Sequence, residues 1–193
     1  MVKNPFEKYH YLLEKYIDPR AIPVLYAYWS SPSRYYHNID HLNDIIAYIE
    51  KFRHRVNRDE FDQLILAAFF HDAIYDPMDP KNNEDKSKKF FRDSYIGKDK
   101  KFTLVEDLIE CTKYRKRPRP FLLQIFWDGD NAGFRKDWMT FLRNEKKIKK
   151  EYPKVDENKY REGRIKFLNQ NWGLFGPKGD TNIRKLIDYL EDK

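Results

Sequence analysis

The chain has 193 residues, 40% hydrophobic and 17% aromatic, enough for one buried core and too much for a disordered chain. Its net charge of +7, from 38 basic and 31 acidic residues, suits a phosphate-bearing small molecule or a nucleic acid and does not separate the two. A single cysteine, Cys111, excludes an internal disulfide, and no stretch reaches the ~18 apolar residues of a membrane span. The segment 1–16 lacks the apolar centre of a signal peptide, so a soluble, cytoplasmic protein without membrane contact is the expectation.

In chain order, the pattern predicts helices over 5–16 and from Pro19 to about Trp29, followed by a Ser/Pro turn at 30–33. Between 39 and 52, Leu42, Ile45, Ile46 and Ile49 recur at i, i+3, i+4, i+7, one face of an amphipathic helix. Asp59 is the expected cap of the next helix, whose run from Phe61 to Phe69 is apolar almost all round and so belongs in the middle of the domain. Asp76-Pro77-Met78-Asp79-Pro80 breaks the chain, and further helices are expected over 83–91, 104–113, 121–128, 134–151, 157–169 and 181–191. Alternating β-type runs are scarce. The fold class that follows is all-α, with 1–193 as one helical domain.

His71-Asp72 closes the most hydrophobic of these helices, where an ionisable pair costs several kcal/mol unless compensated. A divalent cation would compensate it; a plain His–Asp hydrogen bond at a helix end is the bland alternative. Arg34-Tyr35-Tyr36-His37-Asn38-Ile39-Asp40-His41 sets two histidines four apart, a spacing that shares one helix face. His37, however, precedes the start of the apolar period, which gives the two different jobs. Asp128-Gly129-Asp130 adds two carboxylates at the end of an apolar helix, completing a mixed nitrogen and oxygen set suited to a hydrolytic cation.

Taken together, Tyr36-His37-Asn38-x-x-His41, His71-Asp72-x-x-Tyr75-Asp76, Asn83-Glu84-x-x-Ser87 and Asp128-x-Asp130 resemble the metal-dependent phosphohydrolases of the HD superfamily. Lys150-Glu151-Tyr152 and Tyr160-x-x-Gly163-Arg164 continue the likeness, which spans about residues 25–190. The resemblance implies a helical HD-type domain with a divalent metal ion (Mn, Mg, Co, Fe or Zn) held by His41, His71, Asp72 and Asp130. Its Tyr-His-Asn-x-x-His element is similar to that of cyclic-nucleotide phosphodiesterases, which implies His37 as proton donor to the leaving oxygen. Gly-Asp-Asn departs from the family's small-Asp-apolar context, and the extra histidines of two-metal HD enzymes are missing.

A phosphoester hydrolase needs a proton acceptor for water, and Glu84 and Asp128 are the candidates; histidine ordinarily titrates in the range an acid requires. Forked cationic contacts to phosphate fall to Arg34, Lys150 and Arg164, and stacking on a base to Tyr36, Tyr75 and Phe70. The expected substrate is a small phosphorylated metabolite, nucleotides first. A cyclic-nucleotide phosphodiesterase or a nuclease is the nearest alternative. The rival from another class is a non-catalytic basic module that binds nucleic acid through the runs 113–119 and 146–150, with a structural metal.

Overall fold

A computed structural model describes residues 4–98 and 102–192. The helices are α1 (Pro5–Lys8), α2 (His10–Tyr16), α3 (Ala21–Trp29), α4 (Ile39–Glu50), α5 (Arg58–Phe70), α6 (Asn83–Ser94), α7 (Phe102–Cys111), α8 (Phe121–Asp130), α9 (Trp138–Lys150), α10 (Glu157–Gln170) and α11 (Gly176–Glu191). Among the described residues the sole extended pairing is an isolated antiparallel bridge between Ile17 and Tyr95. The all-α expectation holds.

Helix α5 organises the rest. Asn57, not Asp59, caps it: the Asn57 side chain accepts the Glu60 N–H and the Glu60 carboxylate accepts the Asn57 N–H, both at 2.9 Å. That reciprocal pair satisfies two orphan donors at once, which Asp59, already the second residue of the helix, does not do. Every residue from Phe61 to Phe70 is buried, and α5 packs against α4, α7 and α8. At its far end the Trp29 indole N–H donates to the Phe69 carbonyl at 2.8 Å, fixing α3 to the last turn. Each fully buried Leu, Ile or Phe in these seams contributes ~1.5–3 kcal/mol.

Three boundaries differ from the sequence expectation, each for a local reason. The 5–16 stretch is two helices, because the Tyr9 N–H closes α1 on the Pro5 carbonyl before α2 starts. The 134–151 helix begins at Trp138, where the Asp137 side chain accepts the Thr140 N–H; residues Asn131–Arg135 form a 3-10 turn instead. α11 begins at Gly176, five residues before the expected start at 181, with Pro177 in its first turn where no N–H partner is required. No described helix is long and apolar enough to cross a membrane.

Candidate metal centre

Four side chains meet where α4, α5 and α8 come together. Asn38 caps α4 by accepting the Asp40 N–H, which leaves His37 in the entry loop and places His41 in the first helical turn, on the buried face with Leu42, Ile45 and Ile49. His71 is the C-cap of α5 and Asp72 follows it into the turn. Asp130 is the last residue of α8, whose Ile125, Phe126 and Trp127 are buried. The Nε2 of His71 lies 3.2 Å from Asp72 and 3.7 Å from Asp130; the Nε2 of His41 lies 3.3 Å from Asp130 and 4.0 Å from Asp72. For His41, His71 and Asp72, one donor atom each falls within 4.8 Å of the others.

The chemistry of this group fits a divalent cation. His71 Nδ1 sits 2.9 Å from the Ala68 carbonyl, which can only accept, so Nδ1 carries a proton and, once a cation replaces the proton on Nε2, that nitrogen's lone pair is the one facing the carboxylates. Both Nε2 atoms are buried without a hydrogen-bond partner, the nearby carboxylates being close but not aligned with either ring. Two nitrogens and two carboxylates converging as acceptors are satisfied by a cation at the centre, and the mixed set suits Mn, Fe, Co or Zn. Electrostatics agree. Burial pulls the His71 pKa down, yet the charges of Asp72 and Asp130 outweigh it and lift it to about 9. Burial likewise opposes ionisation of Asp72, but His71, His37 and His41 hold that carboxyl far below its usual range. The site is built for positive charge.

Beside the centre, His37 is clamped by Glu151: Nδ1 lies 2.6 Å from Oε2, while Oε1 accepts the backbone N–H groups of Tyr36 (2.7 Å) and His37 (3.0 Å). The Tyr75 ring stacks on the imidazole at 4.1 Å between centroids, and the Tyr36 ring stands 4.8 Å from His37 and 5.0 Å from His41. Glu151 was missed as a functional residue. The signal in the sequence is one carboxylate directly after a lysine-rich run, within Lys150-Glu151-Tyr152.

Tyr36, His37, Tyr75 and the four side chains of the centre line a cavity of about 730 Å³, together with Asn83 and Glu84. Glu84 Oε2 is buried and unpartnered, with Lys113 Nζ 3.9 Å away. Burial, with the Asp72 charge adding to it, raises the Glu84 carboxyl above its ordinary value. Phe134 of the 3-10 turn, Phe141 of α9, and Tyr160 and Phe167 of α10 give the same cavity an aromatic lining. Gly133 contributes to the lining, and a Cβ there would meet the Tyr36 hydroxyl at 2.8 Å, so the absence of a side chain makes room for that hydroxyl.

Several expected site residues lie elsewhere. Asp128, expected near substrate, is outside the cavity lining; its carboxylate is gripped by Arg117 through contacts of 2.5–3.1 Å, with Arg135 at 3.9 Å. Arg34 is buried and turns its guanidinium onto the carbonyls of His37, Asp72 and Ala73, so it ties the His37 loop to the His-Asp turn and does not face the cavity. Lys150 is exposed, over the Tyr35 ring, outside the cavity. Phe70 is wholly buried in the core and likewise does not line it. Arg164 does line the cavity, but both arms of its fork are on Glu145 at 2.6 and 2.8 Å. Lysines and arginines that sequence reasoning treated as a charge run, Lys113 and Arg115, reach the cavity instead.

Comparison with family models, with curated proteins and with solved structures gives no match.

Proposed function

We propose that this chain is a metal-dependent phosphohydrolase for small phosphorylated metabolites, nucleotides first, and a member of the HD superfamily that its motifs resemble. The observation that carries the reading is the pair of buried, unpartnered imidazole nitrogens of His41 and His71, facing Asp72 and Asp130 on the wall of an open cavity. A divalent cation held by these four side chains supplies an acidified water and neutralises charge developing on phosphoryl oxygen.

The remaining steps belong to the chain. Glu84, desolvated and with its Oε2 free of any hydrogen bond, accepts the proton of the attacking water. His37 donates a proton to the leaving oxygen; Glu151 fixes the ring through Nδ1, and Tyr75 packs against its face. Arg34 holds three carbonyls of the two motif loops and so keeps His37 in register with Asp72.

Small substrates are favoured over polymers because each basic run is interrupted by residues engaged within the protein. Arg117 is on Asp128, Lys113 contacts Glu84, Asp85 and Glu110, and Lys149 is on Glu157. A polymer groove would instead present a continuous free basic stripe. The test is phosphate release from nucleoside mono-, di- and triphosphates, cyclic nucleotides and a single-stranded oligonucleotide, each with Mn²⁺ and with EDTA. Mn²⁺-dependent release from a free nucleotide supports the reading. Oligonucleotide binding that persists in EDTA without any turnover would replace it with the nucleic-acid module.

A further inference from the structure

The cavity is also lined by residues of α10 and of the segment 112–115, which bring cationic side chains. Two guanidinium groups line it, Arg164 and Arg115. Both lie over one ring, Phe167, at 4.6 and 5.1 Å from its centroid. Their situations differ. Arg164 is buried and bidentate to Glu145, so its charge is neutralised and its fork is used. Arg115 is exposed, and among the described residues no carboxylate or carbonyl takes any of its N–H groups.

What sets Arg115 apart from Arg164 is that its donors are unused. A cation–π contact holds the planar group in place while leaving its in-plane donors free. The fork is therefore positioned at the cavity and available. Lys81, on the loop after the His-Asp motif, lines the same cavity, whereas Lys113, two residues from Arg115, is taken up by Glu84, Asp85 and Glu110. Glu145, which also lines the cavity, has both oxygens on Arg164.

We propose that Arg115 is a specificity-determining residue that binds a second anionic group of the substrate, one remote from the phosphate being cleaved. The inference rests on the phosphohydrolase reading for the location of the scissile phosphate, and it narrows the substrate to small molecules carrying two anionic groups. A free guanidinium fork aimed at a phosphate is worth about tenfold or more in affinity.

The probes are adenosine 5′-monophosphate, adenosine 5′-diphosphate and adenosine 3′,5′-bisphosphate. They share base and 5′-phosphate and differ in where a second anion sits. With Mn²⁺, the native protein is expected to turn over at least one two-anion probe with kcat/KM about tenfold above the monophosphate. Arg115→Ala should collapse that ratio through KM, and Arg115→Lys should restore it in part, since a point charge lacks the fork. Arg184→Ala, which removes an exposed guanidinium over Trp172 outside the cavity, should keep the ratio. Diphosphate and bisphosphate separate an anion on the phosphate chain from one on the sugar. Equal kcat/KM for all three in the native protein, or a preference that survives Arg115→Ala, overturns the proposal. If nothing is turned over, the hydrolase reading fails by itself, and calorimetry with the same probes in EDTA still decides on Arg115. Binding of a two-anion probe that weakens about tenfold in Arg115→Ala supports it; no binding, or no difference, overturns it.

Discussion

Glu151 holds His37 through both oxygens, one on the ring nitrogen Nδ1 at 2.6 Å and the other on the backbone N–H groups of Tyr36 and His37. A residue at the end of α9 thus fixes a loop that precedes α4, more than a hundred positions earlier in the chain. Four groups share this arrangement, so changing the carboxylate alters both the stability of the loop and the placement of the ring.

The Glu151 clamp makes a pH-dependent contribution to stability. Burial opposes its ionisation, but His37 and the two backbone N–H groups outweigh burial and depress its pKa. A depressed carboxyl contributes stability that is complete above the unfolded value of ~4.3 and is lost as pH falls through the lower folded value. Glu151→Gln should therefore cost about 1–2 kcal/mol at pH 7, and the gap from the native protein should close as pH drops below ~4.3. Urea midpoints across that range check it. A gap that stays constant with pH would show that the charge of Glu151 is not what matters.

Ligand and acid roles separate in variants. Asp72→Ala should abolish Mn²⁺ binding and turnover together, since Asp72 lies 3.2 Å from His71 Nε2 within the donor set. His37→Ala should keep Mn²⁺ affinity while kcat falls by ~10²–10⁴-fold, the usual worth of a positioned acid. Calorimetric Mn²⁺ titration beside steady-state kinetics reads both. Equal loss of metal in the two variants would make His37 a ligand.

Asp128 is expected to behave as a structural residue. Asp128→Ala should retain Mn²⁺ binding and lower stability by about 1 kcal/mol, a modest figure because the Arg117 partner is half exposed. Loss of metal with unchanged stability would return Asp128 to the site.

Gly163 lies inside α10, lines the cavity, and a Cβ there would meet nothing within 4 Å. Gly163→Ala should raise stability by about 0.5–1 kcal/mol, the helix-propensity gain of alanine over glycine. A lower thermal midpoint would mean that α10 is not helical through this position in solution.

Sequence reading went furthest where a residue's role depends on its own helix. The period of Leu42, Ile45, Ile46 and Ile49 located the face that carries His41, and the apolar run of α5 marked His71-Asp72 as a costly buried pair. It went astray where a role depends on which distant group a side chain meets. Arg34, Lys150, Arg164 and Asp128 all looked free to serve a phosphate or a water. Arg34 turned onto carbonyls 38 and 39 positions away, Arg164 onto a carboxylate 19 positions away, and Asp128 onto Arg117. Charge partners of that kind leave no periodic signature, and neither does the approach of Glu151 to His37.

The central claim is that His41 and His71 bind one divalent cation together with Asp72 and Asp130. Pulsed electron paramagnetic resonance of the protein loaded with one equivalent of Mn²⁺ tests it most directly. The account predicts hyperfine coupling to two imidazole nitrogens, falling to one in His41→Ala. A spectrum with couplings to water alone, unchanged in that variant, would contradict it.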